Sequence, residues 1–107
     1  METMSSLHHP ATANLELTAV LHALSDPVRM KIVRELDLDP TPRPCGSFAL
    51  GVTKSTSTHH FRVLREAGLV SQQPTGTCKL TALRRDDLDE RFPGLLDAVL
   101  GAASVPA

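Results

Sequence analysis

Apolar positions recur with helical spacing over most of the chain. Leu15, Val20, Leu21 and Leu24 form one stripe, which predicts a first helix from Asn14 to Leu24. Asn14 suits its cap, and Glu16 suits the first turn, where an acid meets the positive helix end. Ser25-Asp26-Pro27 then punctuates the chain. Ser25 or Asp26 caps and Pro27 fits the first turn of a second helix, Pro27 to Leu36, with Val28, Ile32, Val33 and Leu36 inward and Arg29, Lys31 and Arg34 outward. Asp37 to Pro44 carries Pro40, Pro42 and Pro44 and excludes a helix. Only a short third helix, Gly46 to Leu50, fits before Gly51, with Val52 filling the angle to the next helix.

The central stretch begins at Thr53, a cap, and ends at Gly68, where a left-handed residue closes a helix. Phe61, Leu64 and Ala67 face inward. The other face carries Lys54, Ser55, Thr58, His59, Arg62 and Arg65, with no acid before Glu66. Short hydroxyls and free N–H groups at a helix start favour close approach to phosphate. Leu69 to Gln73, a turn at Pro74-Thr75-Gly76, and Thr77 to Leu83 read as a hairpin. Leu88, Phe92, Leu95, Leu96, Val99 and Leu100 form a broad stripe on a last helix, Asp86 to Leu100. Pro93 kinks it or divides it into two, opening the second.

The order of residues in the central helix is specific. Thr53, Ser55, Thr56, Thr58, His59, His60, Leu64, Arg65, Ala67, Gly68 and Leu69 resemble the recognition helix of the ArsR/SmtB family of winged-helix repressors, which reads Ser-x-Ser-Thr-x-Ser-His-His-x-x-x-Leu-Arg-x-Ala-Gly-Leu. Ser57 departs from it, standing where the family has an apolar residue. Ala23 to Leu36 resembles the same family's opening motif, and the resemblance covers roughly residues 15 to 100. It implies a mainly α fold with a β-hairpin wing, a winged helix-turn-helix of five helices. The expected organisation is a mobile arm over 1–13, the domain over 14–100 and a frayed tail over 101–107.

The resemblance further implies a transcriptional regulator, by family habit a repressor. It would bind an inverted repeat in double-stranded DNA as a homodimer. Lys54, Ser55, Thr56, Thr58, His59, Arg62, Arg65 and the wing residue Lys79 are the expected DNA contacts. Arg65 has an alternative role in pairing with an acid to support the fold. First and last helices build the family's dimer interface, which selects Leu15, Leu88, Phe92, Leu95, Leu96 and Val99.

Metal sensing in the family raises Ni or Zn as effectors. Cys45 stands near one family site, and His8 or His9 would join it across the dimer. The family's Cys-x-Cys pair is not there, since Gly46 and Ser47 follow Cys45. The histidines, equally, belong to an unstructured terminus.

Composition changes the picture in three respects. The chain has 107 residues, net charge −1, no Trp or Tyr and three Phe. One thin Leu/Val/Ala core of this size favours oligomerisation. With so little net charge, DNA binding must rest on locally gathered cations. The acids gather instead at Asp37 to Asp39 and Asp86 to Glu90. Two distant cysteines make no disulfide framework, and no signal peptide or membrane-spanning run is read, so the cytoplasm is the expected location. No nucleophile–base motif or Gly-rich phosphate loop supports an enzyme. The rival reading is a winged-helix interaction module, or a regulator whose sensing comes from a protein co-regulator.

Overall fold

The computed structural model describes residues 7–104. The first six residues of the expected arm and the last three of the expected tail lie outside them. Its elements run, after a 3-10 turn at Thr12–Asn14, as α1 (Leu17–Leu24), α2 (Pro27–Leu38), β1 (Arg43–Pro44), a 3-10 turn at Cys45–Ser47, α3 (Lys54–Ala67), β2 (Val70–Thr75), β3 (Cys78–Leu83), α4 (Arg85–Arg91) and α5 (Leu95–Ala103).

The first helix starts later than its stripe suggested. Glu16 stands at the N-cap with no side-chain cap bond, and Asn14 belongs to the preceding turn. Leu15, between the two, is fully buried. α2 begins as expected: the Asp26 carboxylate accepts the N–H groups of Val28 (2.8 Å) and Arg29 (3.1 Å). Partial burial raises the Asp26 pKa, but those two bonds, with the nearby Arg29 charge, hold it below the usual carboxylate range.

Arg29 does not point outward. It is buried, and its Nε donates to the carbonyl of Ala23 at 2.7 Å. The last turn of α1 leaves carbonyls without helical partners, and a guanidinium two residues into α2 reaches them.

The expected third helix is only the 3-10 turn at Cys45–Ser47. Val52 does not plug the angle, since it stays 38% exposed. Phe48 does, with its ring centroid 5.4 Å from that of Phe61 and the Arg43 guanidinium over its face, 3.9 Å from the centroid. The prolines of the preceding loop hold the chain extended, and β1 adds two residues to the sheet edge, giving the order β1-β3-β2, all antiparallel. β2 and β3 pair from Val70↔Leu83 to Thr75↔Cys78, so Gly76 and Thr77 form the turn, two residues later than the Pro-Thr-Gly reading began it.

The last helix is divided. Pro93 lies in the break and Gly94 caps α5, so Leu95 rather than Pro93 opens the second piece. α5 continues past Leu100 to Ala103, into the stretch expected to fray. Residues 7–13 are not a free arm. His9, Pro10 and Thr12 each make a hydrogen bond to the body, at Gln72, Arg84 and Asp87.

Gly68 joins helix to hairpin. Its N–H bonds the Arg65 carbonyl and the Leu69 N–H bonds that of Leu64, with φ at 90°. A Cβ there would lie 2.0 Å from Leu15 Cδ2. Gly68→Ala adds left-handed strain of roughly 1–2 kcal/mol to this overlap, so its expected loss in urea unfolding is larger than that strain alone. A variant within about 0.5 kcal/mol of wild type would refute this packing.

Candidate nucleic-acid interface

The N-terminal half of α3 is capped by Thr53, whose Oγ1 accepts the Thr56 N–H at 3.2 Å. Beyond the cap, Lys54, Ser55, Thr58, His59 and Arg62 line one open surface. All five are exposed. Their spacing is the i, i+1, i+4, i+5, i+8 of one helix face. Thr58 donates its hydroxyl to the Lys54 carbonyl at 2.9 Å, which orients Oγ1 and leaves it an acceptor. Arg62 reaches within 3.5 Å of His59 Nδ1.

The other expected contacts fall elsewhere. Thr56, though exposed, has its hydroxyl bonded by Thr53 at 2.9 Å. Arg65 turns away from the open face and donates to Gln72 Oε1 at 2.7 Å. It supports the fold, as one reading allowed, but through an amide and not an acid. Lys79 is exposed on β3, across a cleft from α3.

The two arginines after the hairpin are neutralised locally. Arg84 pairs with Asp87 at 2.9 Å and donates to the Pro10 carbonyl. Arg85 pairs with Asp37, Asp89 and Asp97. The acidic clusters of the sequence are therefore partly matched with cations away from α3, and the cations of α3 keep their charge. Hydrogen bonds from Arg84 and Thr12 hold the Asp87 pKa below its ordinary value.

His60, beside His59 in sequence, is buried. Its Nδ1 lies 3.1 Å from Arg29 Nη1 and 3.8 Å from Asp26 Oδ2. A guanidinium only donates, so Nδ1 accepts. The recognition helix is thereby tied to the start of α2. Sequence reasoning missed this contact. Its signal was the Asp26-Pro27-x-Arg29 run beside an adjacent pair of histidines.

Gln72, also missed, is the centre of the β2 contacts. Its Nε2 donates to Cys45 Sγ at 3.1 Å, its Oε1 accepts from Arg65, and its N–H donates to His9 Nε2 at 3.0 Å. Cys45 Sγ is also 3.2 Å from Thr81 Oγ1. The proposed metal ligands are thus engaged by an amide and a hydroxyl, and His8 is exposed. Among the described residues no three His, Cys, Asp or Glu side chains gather as a metal would need. Within one chain, then, the described residues form no such site. Cys78 is exposed, and both thiols are free.

The expected interface leucines divide as well. Leu15, Leu88 and Leu96 are buried in the core of their own chain and offer no surface to a second one. Phe92, Leu95 and Val99 are half-buried. The exposed apolar side chains of α1 are Leu17 (45%) and Leu21 (41%), one turn apart.

A two-helix unit with an exposed polar second helix, followed by an antiparallel hairpin, defines a winged helix-turn-helix protein, with the hairpin as its wing. A family model for the helix-turn-helix domain matches residues 24–73. An uncharacterized HTH-type transcriptional regulator of Bacillus subtilis (strain 168), YceK, is 33% identical over 82 residues, which cover 75% of this chain and 82% of the relative. The crystal structure of an ArsR family transcriptional regulator superposes with a TM-score of 0.61 at 17% identity, over 84% of this chain and 93% of the other. This chain belongs to the HTH-type transcriptional regulators, and it shares the winged helix-turn-helix fold of the ArsR family structure. No helix among the described residues is long and apolar enough to cross a membrane.

Burial lowers the His9 pKa; a backbone hydrogen bond at Leu7 opposes this, and the charges of Arg65, Arg84 and His8 reinforce it. The bond from Gln72 N–H needs the unprotonated ring. A depressed pKa in a base stabilises docking above the free value of about 6.5, and that contribution is lost as pH falls below it. The Gln72 amide resonance should therefore titrate with a midpoint below about 6.5, and the titration should vanish in His9→Ala. An amide shift that is flat through this range would rule the contact out.

Proposed function

We propose that this regulator acts as a homodimer that binds an inverted-repeat operator in duplex DNA and represses transcription from it. The observation that carries the reading is the joint exposure of Lys54, Ser55, Thr58, His59 and Arg62 on one face of α3, without a carboxylate among them. Lys54 and Arg62 bind backbone phosphates, and Lys54 also reaches a guanine edge. Ser55, Thr58 and His59 read bases or adjacent phosphates. Thr56 adds a phosphate contact at the capped end. Arg65 positions the wing from behind the helix. Lys79 adds one cation from the wing, a small contribution beside that of α3.

A dimer follows from the apolar surface that one chain leaves uncovered. Leu17 and Leu21 on α1 and the half-buried Phe92, Leu95 and Val99 near and on α5 are its contacts. Two α3 helices then enter successive major grooves about one helical turn (~34 Å) apart.

Binding to an operator selected from genomic fragments tests the first part. In the dimer, Arg62→Ala should weaken binding to all sequences alike and reduce the slope of log K against log salt by about two, one for each chain, whereas Lys54→Ala, which also removes the guanine contact, should cost the operator more than random DNA. Thr58→Ala or His59→Ala should instead narrow the gap between operator and random DNA, by roughly 1–3 kcal/mol where the lost contact is to a base. A wild-type chain with no sequence preference at any salt concentration would refute the reading and favour an interaction module.

Sedimentation equilibrium tests the second part. Leu21→Glu places a charge in the proposed interface at a position already 41% exposed in the single chain. The expected product is a folded monomer. A dimer of unchanged strength would move the interface elsewhere.

A further inference from the structure

A cleft of about 550 Å³ lies between α3, the wing and the Cys45–Ser47 turn. Among the described residues four cations line it, Lys54, Arg62, Arg65 and Lys79, and no carboxylate does. Its wall also includes Phe61 and Gln72, which are 2% and 4% exposed, and the apolar side chain Leu7. The volume falls in the range of small-ligand sites, roughly 300–1,000 Å³, and the wall is mixed, with polar side chains beside Phe61 and Leu7.

One buried polar atom beside the cleft is unsatisfied among the described residues. Arg65 Nε is buried and has no hydrogen-bond partner among the described residues, while Nη1 of the same guanidinium is fixed by Gln72 Oε1 at 2.7 Å. An oxyanion in the cleft pairs with a guanidinium in the geometry that Arg favours. A duplex backbone lies against the exposed face of α3, and residues as deep as Phe61 and Gln72 are withdrawn from such a surface. A small molecule reaches them where a duplex does not.

We infer that this cleft binds a small organic oxyanion, a phosphate or carboxylate with an apolar body, in competition with DNA. The oxyanion lies against Arg65, with Lys79 and Arg62 around it, and the apolar body lies towards Phe61 and Leu7. Competition follows from shared residues: Lys54, Thr58 and Arg62 line both this cleft and the open face of α3. An anion that draws Lys54 and Arg62 inward removes two proposed phosphate contacts from the DNA side. The inference assigns a regulating ligand to the proposed DNA-binding surface and rests on that reading for its competitive part.

The test uses phenyl phosphate and inorganic phosphate with the full chain, at ionic strength balanced by chloride. Calorimetric titration without DNA should give one saturable site per chain, with phenyl phosphate the tighter of the two. Arg65→Met should weaken it about tenfold or more, the scale of a lost charge-assisted bond. Lys79→Met, at an exposed position, should weaken it several-fold and keeps the test valid if the Arg65 variant unfolds. Phenyl phosphate should then displace operator DNA beyond the effect of equal chloride. No saturable binding, binding indifferent to both variants, or saturable binding without displacement would each overturn the proposal. Failure of the wild-type chain to bind DNA would strike the proposed function instead, because the titration is read without DNA.

Discussion

The contact between Gly68 and Leu15 governs the layout of this protein. The chain must leave the recognition helix and enter the wing at once, and the left-handed turn at Gly68 performs that reversal. Leu15 occupies the space that a side chain would take. The segment before α1 is thereby packed against the point where helix becomes strand. Leu64 and Leu69, on either side of the turn, are both fully buried and complete the same knot. The angle between recognition helix and wing is set by packing at this point more than by any bond between their tips.

Buried polar contacts then fix what the thin apolar core leaves free. Gln72 joins four segments through one side chain and one N–H: α3 by Arg65, the Cys45 turn, β3 by Thr81 and the N-terminal segment by His9. Arg29 does the same on the other side of α3, joining α1 carbonyls to His60. Such groups stabilise only when their partners are present, and they penalise alternative packings more than they strengthen the native one. A core with three Phe and no Trp gains definition from them.

Charge is arranged by subtraction. The chain is nearly neutral, yet the open face of α3 gathers Lys54 and Arg62 with two hydroxyls and an imidazole. Arg85 takes Asp37, Asp89 and Asp97 as partners, and Arg84 takes Asp87. These partly exposed ion pairs add little stability at the surface. Their consequence is spatial, because paired acids far from α3 do not dilute the field that a phosphate meets there.

The sequence by itself determined the order of the elements apart from the short third helix, the recognition helix with both its ends, and the hairpin. These follow from local causes: hydroxyl and carboxylate caps, glycine at a left-handed position, and apolar periodicity. Five of the eight expected DNA-contact residues share the open face because helical spacing alone places them there. Only the tertiary structure decided the rest. Arg29 and Arg65 look like surface cations until carbonyls and an amide from other segments come within reach. Phe48 fills the angle assigned to Val52 because the proline-held loop and β1 deliver it there. Leu15, Leu88 and Leu96 satisfy the same periodicity as interface residues, but it cannot distinguish a face buried in its own chain from one kept for a second. His9 and Cys45 read as ligands by type, and the fold gives them hydrogen-bond partners from distant strands. Local pattern names the elements, and contacts between residues far apart in sequence decide which side chains remain free to act.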